Sequence, residues 1–296
     1  MGSKTAIGWT DATWNPVSGC SKVSPGCDNC YAEALSHRFG WTQKPWTAPH
    51  AAQNVVLHPD RLSQPLRWQK PRHIFVNSMS DLFHQEVPDS FLDEVFAVMA
   101  MAPRHTFQIL TKRPQRMHDY LTDPETSRRI ASVVLHQHAT CEKDGVMSIE
   151  LYNHAYWPLP NVWLGVSVED QRRAIERVPI LMEIPAVVRF LSCEPLLGPI
   201  NIDDAMYGAR TYGPMDWFGQ TDGFGHEAFI HWVIVGAESG PNARPMDDDW
   251  VRSLRDQCVA ANVPFFFKQR AHKGHKEIDP LLYGILWQQL PVRRSP

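Results

Sequence analysis

Three cysteines fall within eleven residues, in the segment Gly19-Cys-Ser-Lys-Val-Ser-Pro-Gly-Cys-Asp-Asn-Cys30. The ligand-type residues are Cys20, Cys27 and Cys30, spaced C-x6-C-x2-C. Thiolates are soft ligands that suit iron–sulfur clusters and zinc. Pro25 and Gly26 allow a sharp turn, so that Cys20 can fold back onto the site of the other two. Cys27 and Cys30 open a helical stretch that runs to Phe39 and ends at Gly40. The free N–H groups at such a helix start favour electron-rich sulfur. A structural zinc site is closed by four ligands, commonly two Cys pairs. Here there is one C-x2-C pair, one outlying Cys and no second pair. Three thiolates leave one metal position open, and in a [4Fe–4S] cluster the open iron can take a small molecule. The residues alone favour a cluster and keep zinc as the alternative.

These ligands need a scaffold, and seven short apolar runs supply it. They are Thr13–Val17, His73–Ser78, Thr106–Thr111, Val162–Ser167, Val187–Ser192, Trp232–Gly236 and Pro264–Lys268. Most are near-continuous and rich in β-branched or aromatic residues, as parallel strands buried on both faces are. Amphipathic stretches lie between them, at Ser90–Ala102, Asp170–Met182 and Asp249–Ala261. The alternation predicts βαβ units and an α/β fold, a partial or complete (β/α) TIM-type barrel of parallel strands. One domain spans residues 1–296, with loop insertions near 41–70, 140–160 and 202–230.

The strands share a direction of polarity. The second ends in Asn77, Ser78, Ser80 and Asp81, the third in Thr111, Lys112 and Arg113, and the fourth in Ser167 and Glu169. The fifth ends in Ser192, Cys193 and Glu194, the sixth in Glu238 and Ser239, and the seventh in Lys268 and Gln269. Chemistry in (β/α) barrels sits at the C-terminal strand ends, so this pattern predicts one polar mouth.

Composition narrows the class. Hydrophobic residues are 43%, charged residues 21% and the formal net charge −3, so an overall basic footprint for nucleic acid is absent. No run of 18 apolar residues occurs, so no membrane span is expected. The N-terminus lacks the apolar region of a secretory signal. Clustered rather than dispersed cysteines suggest a reducing compartment, and a cytoplasmic protein is expected. Cys141, Cys193 and Cys258 read as small buried residues. His136 and His138 read as a solvated face, and the tail from Arg270 through His272, Lys273 and His275 to Lys276 as a solvated basic loop. Trp9, Trp14, Trp41 and Trp46 flank the cysteines, with packing the simplest account.

The cysteine segment resembles the cluster loop of the radical SAM superfamily. Two departures are visible: the first gap is six residues rather than the usual three, and Asn29 stands where an aromatic residue is usual. A wider resemblance covers almost the whole chain. It is carried by Ile7–Pro16, Ser24–Ala32, Leu110–Pro114, Leu164–Glu169, Ser192–Leu196, Gly236–Pro241 and Phe266–Gln269. These look like a family known mainly from phages and prophages and grouped with radical-SAM-like barrels. DNA-repair enzymes of the spore photoproduct lyase type are the nearest functional analogy.

The resemblance implies a [4Fe–4S] cluster on Cys20, Cys27 and Cys30 and S-adenosylmethionine (SAM) as second cofactor. It implies reductive cleavage of SAM to methionine and a 5′-deoxyadenosyl radical, driven by an external electron donor. Ser80 or Asp81 would meet the SAM amino group, Lys112 or Arg113 its carboxylate, and Ser167 or Glu169 its ribose. Glu194, Glu238 and Lys268 are left for substrate or proton transfer, with nucleic acid or a nucleotide one candidate substrate. The competing reading is a non-catalytic binding module, stabilised by zinc or a cluster, that grips a nucleic acid or a phage partner.

Overall fold

The computed structural model describes residues 5–138, 156–207, 220–221, 227–240, 242–272 and 275–291. Eight strands form one sheet in sequential order: β1 (Ala12–Trp14), β2 (His73–Val76), β3 (Thr106–Thr111), β4 (Val162–Ser167), β5 (Val188–Cys193), β6 (Trp232–Gly236), β7 (Phe265–His272) and β8 (His275–Ile278). The first seven are parallel, and β8 runs antiparallel to β7. The sheet curls strongly but stays open, because β1 and β8 are edges that do not pair. The expectation of parallel βα units is met. A complete barrel is not formed, and the architecture is a half-barrel flanked by helices.

The two faces of the central strands enter different cores. Ile74, Val76, Phe107, Ile109, Leu164, Val166, Leu191, Val233, Val235, Phe265 and Phe267 pack outward with the helices. The main helices are α1 (Tyr31–Arg38), α2 (Asp89–Met101), α3 (Pro114–Thr122), α4 (Thr126–His138), α5 (Gln171–Glu183), α6 (Ile202–Tyr207) and α7 (Asp248–Ala260). Their starts follow from local chemistry. The Asp170 carboxylate accepts from the Arg173 N–H at 2.8 Å to cap α5, and Asp247 accepts from Asp249 N–H at 2.8 Å to cap α7.

The alternate residues face inward. Phe75, Trp163, Phe190, Trp232 and Phe266 form an aromatic plug inside the curl. Trp9, from the segment before β1, completes it, with its ring 4.8 Å from Phe75 and 6.0 Å from Trp232. One residue thus reaches both halves of the open curl. Along three of the inward rows the ring gives way to a polar group within two or four residues: Trp163 to Gly165 and then Ser167, Phe190 to Ser192, Phe266 to Lys268. The curl therefore has an apolar floor and a polar upper wall.

Several sequence expectations shift in detail. The run Thr13–Val17 splits: β1 ends at Trp14, and Val17–Ser18 pairs antiparallel with Val56–Leu57. The insertion at 41–70 therefore carries structure of its own and lies against the cysteine loop. The helical stretch starts at Tyr31, because Pro25–Cys27 forms a separate single turn. In the tail expected to be a loop, Arg270–His272 ends β7 and His275–Lys276 begins β8, while Lys273 lies outside the described residues. Most of the expected insertion at 140–160, and part of that at 202–230, lie outside the described residues, as does Cys141.

Gly165 tests the plug. It sits opposite Phe190 in register, and a Cβ there would fall 2.5 Å from the Phe190 ring. Gly165→Ala is expected to lower stability by about 1–3 kcal/mol through overpacking, read as a lower urea midpoint at unchanged slope. Adding Phe190→Leu should recover part of the loss; an unchanged midpoint in the single variant would show the contact to be slack.

Candidate functional site

Cys20, Cys27 and Cys30 all line one cavity of about 410 Å³ at the C-terminal end of the parallel strands. Gly19 sets the entry to the loop at φ +81°, where a Cβ would collide with the Asn54 carbonyl. Two of the thiols have a hydrogen-bonding neighbour. Arg113 Nη1 donates to Cys20 Sγ at 3.5 Å, and Ser24 Oγ lies 3.9 Å from Cys27 Sγ. Cys30 stands at the N-cap of α1, where the backbone N–H groups of Ala32 and Glu33 favour its thiolate without forming a cap bond to the sulfur. Burial nevertheless pushes Cys20 up to about 12 against the pull of Arg113, and burial raises Cys30 also. Burial thus favours the protonated thiol at Cys20 and Cys30, and metal binding there would have to displace those protons. Among the described residues, no three His, Cys, Asp or Glu side chains converge closely enough to hold one metal ion.

Three carboxylates, following β2, β4 and β6, grip the cysteine loop. Asp81 accepts from Thr111 Oγ1 (2.7 Å), the Phe83 N–H (3.1 Å), the Lys112 N–H (3.1 Å) and Arg113 Nη1 (3.0 Å). Arg113 in turn donates to the Ser21 carbonyl at 2.8 Å and to Ser21 Oγ at 3.1 Å. Burial would raise the Asp81 pKa, but Arg113 and these donors hold it below the usual carboxylate value.

Glu169, fully buried, accepts from Ser24 Oγ at 2.7 Å and from Arg177 Nη1 at 3.0 Å. Its side chain packs so close to Gly26 that a Cβ there would fall 2.4 Å from it. Glu238 accepts from Asn29 Nδ2 at 2.8 Å and pairs with Arg244, whose Nη2 also donates to the Pro25 carbonyl at 2.7 Å. Burial opposes ionisation of Glu238, and bonds from Arg244 and Asn29 overcome it, so its pKa is lowered.

A different group of polar residues keeps unused valence toward the cavity. Lys268 Nζ lies 2.7 Å from Glu194 Oε1, too oblique for a hydrogen bond, so that oxygen has charge compensation but no aligned donor. Ser192 Oγ donates to Glu194 Oε2 at 3.1 Å. These residues flank β6, and the Glu194 carboxylate lies over Gly236, where a Cβ would stand 2.8 Å from its Oε1. Lys112 lines the cavity with its Nζ 3.7 Å from Glu169 Oε1. Ser80 Oγ donates its proton to the Val17 carbonyl at 2.9 Å and retains its lone pairs. Ser167 and Gln269 complete this wall.

The expected site residues are thus brought to one end of the sheet but divide into two sets. Asp81, Arg113, Glu169 and Glu238 bond the loop, whereas Ser80, Lys112, Ser167, Glu194 and Lys268 remain available to a ligand. Sequence reasoning missed Ser21, Ser24, His84, Arg177 and Arg244. None stands at a strand end with a charge pattern of its own, and each acts through a partner distant in sequence. Asn29, first noted only as a departure, has a definite task, since its amide joins the loop to Glu238. Of the tryptophans, Trp9 and Trp46 line the cavity, Trp14 is core, and Trp41 is exposed and stacks on Phe39.

Residues 4–291 match the family model described as "Protein of unknown function (DUF5131)", and the chain belongs to that family. No curated protein and no solved structure matches it.

His84 offers a pH probe of the loop's support. It is fully buried, its Nδ1 accepts from the Glu86 N–H at 3.1 Å, and its Nε2 lies 2.8 Å from Ser21 Oγ. Burial and the Arg113 charge lower its pKa from 6.5 to about 4. The unfolded chain takes up the proton first. Stability is therefore full above pH 6.5 and falls by ~3 kcal/mol as pH drops toward 4. His84→Gln can keep both bonds without titrating. Urea unfolding across this range should show a flattened acid limb in the variant; an identical slope would assign the limb to other groups.

Proposed function

We propose that the chain is an iron–sulfur enzyme of radical SAM type, with Cys20, Cys27 and Cys30 as ligands of a [4Fe–4S] cluster and SAM in the adjoining cavity. The observation that carries this reading is the convergence of three thiols from one loop, close behind the first strand, on a single cavity at the C-terminal ends of parallel strands. The donor set fits the group. A cluster places its thiolates on separate iron atoms, so three sulfurs that line one cavity without converging on a single point suit it. A single zinc ion needs every ligand within about 2.3 Å. Hydrogen bonds to the sulfurs, as from Arg113 to Cys20, are among the features that tune such clusters. The cavity also falls in the range of about 300–1,000 Å³ typical of small-molecule sites.

The chemistry such a cluster supplies when bound is one-electron reductive cleavage of SAM, and an external donor must provide the electron. The chain's own residues have separable tasks. Lys112 offers its ammonium to the SAM carboxylate, Ser80 its lone pairs to the amino group, and Ser167 its hydroxyl to the ribose. Asp81, Arg113, Glu169 and Glu238 are positioning residues that hold the loop. Trp9, Phe75 and Leu110 give an apolar wall that excludes water from a reactive species. Glu194 and Lys268 face the remaining space and can bind substrate or hold a proton there.

Anaerobic reconstitution with iron and sulfide tests the reading. The expected product is a brown protein with about four iron and four sulfide per chain, lost in each of Cys20→Ala, Cys27→Ala and Cys30→Ala. After dithionite reduction it should convert SAM to methionine and 5′-deoxyadenosine. A colourless protein holding one tight zinc would replace this reading with that of a metal-stabilised binding module. A brown protein that leaves SAM intact would remove the radical step.

A further inference from the structure

We infer that the ligand taken up beside Glu194 carries a phosphate group, held by the ammonium groups of Lys268 and Lys276. Calling that ligand the substrate rests on the proposed function; the binding site itself does not.

The charges lining the cavity are unbalanced. Five cationic side chains, Lys22, Lys112, Arg113, Lys268 and Lys276, face two carboxylates, Asp81 and Glu194. Most of the cations have a partner in or behind the wall. Lys22 lies 3.1 Å from Glu33, Lys112 3.7 Å from Glu169, Arg113 3.0 Å from Asp81 and Lys268 2.7 Å from Glu194. Lys276 has no ion-pair partner among the described residues.

Its position is set by the β7–β8 pairing. Lys276 stands opposite Ala271, two residues beyond Gln269 on β7, and Gln269 lines the same cavity. The rim position leaves it largely exposed, yet partial burial and the nearby Lys268 charge both lower its pKa, and only Glu194 opposes them. Two ammonium groups thus line one cavity with a single carboxylate near them, already paired with Lys268, and their like charges disfavour each other.

Phosphate suits this arrangement better than a carboxylate. It brings up to two negative charges and three acceptor oxygens, and lysine binds it as a point charge. The hydroxyls of Ser192 and Ser239 stand on the same wall. Lys112 lies toward the cysteine loop, so the cofactor and the phosphate need not compete for one cation.

The test compares phosphorylated ligands with their dephosphorylated partners by titration calorimetry at constant ionic strength. A 5′-mononucleotide, a sugar phosphate and a short single-stranded oligonucleotide are each measured, so that the tightest binder names the source of the group. At least one phosphorylated ligand is expected to bind ten-fold or more tightly than its phosphate-free partner. Lys276→Gln should abolish most of that preference, Lys276→Arg should keep it, and the exposed Lys44→Gln should leave it unchanged. Equal affinity for all phosphorylated and phosphate-free pairs, or an unchanged preference in Lys276→Gln, overturns the inference. Both as-purified and cluster-reconstituted protein are titrated. Phosphate preference without SAM cleavage removes the cofactor reading alone, and SAM cleavage without phosphate preference removes this inference alone.

Discussion

The arrangement depends on how a cysteine-rich loop is held still. Residues 19–30 contain no strand and only a single helical turn, so their own backbone bonds do not fix them. The rigidity comes from outside, through charge-assisted bonds from Asp81, Glu169 and Glu238 at the ends of alternate strands. Such bonds are directional and about twice as strong as neutral ones. They also reach different parts of the loop: Arg113 at Ser21, Glu169 at Ser24, and Asn29 with Arg244 at Glu238 and Pro25. Buried ion pairs of this kind add little net stability, because desolvation cancels most of the attraction. Their value is geometric, since an apolar replacement could fill the space but could not aim three sulfurs at one cavity.

Much of the framework was legible in the sequence because it rests on local periodicity. Six of the seven parallel strands fall on the expected apolar runs, the first overlapping its run only at Thr13–Trp14, and their polarity pointed to the end of the sheet where the cavity lies. The inward rows explain why. On β4, β5 and β7 an aromatic floor residue is followed, at steps of two, by a polar residue at the mouth, as in Trp163–Ser167, Phe190–Ser192 and Phe266–Lys268. A period of two cannot report closure, however. Whether β1 and the last strand meet depends on tilt and stagger over the whole sheet. Here β8 occupies the edge of β7 instead.

The functional division among the polar ends was not legible for a related reason. Asp81 and Glu194 look equivalent as carboxylates just past a strand, yet one is saturated by protein donors and the other keeps a buried oxygen with no aligned donor. The difference lies in residues remote in sequence: Thr111 and Arg113 for the first, and Gly236, whose missing side chain leaves room for the carboxylate, with Lys268 beside it, for the second. Asn29 makes the same point. It departs from a familiar pattern at one position, and its reason becomes visible only when Glu238 is brought within 2.8 Å.

The electrostatics of the cavity are coupled to the state of its sulfurs. With protonated thiols, the wall carries surplus positive charge, and the mutual repulsion of Lys268 and Lys276 works against the folded state. Thiolates formed on metal loading add negative charge near Arg113 and Lys112. The clamps confine that change to the loop, because Asp81 already neutralises Arg113 and Glu169 already faces both Arg177 and Lys112. A surplus that the protein itself leaves uncompensated at the β7–β8 rim is a standing cost to stability. Cavities retain such a cost when a ligand relieves it, which is why the rim lysine marks the side of the cavity from which an anion enters.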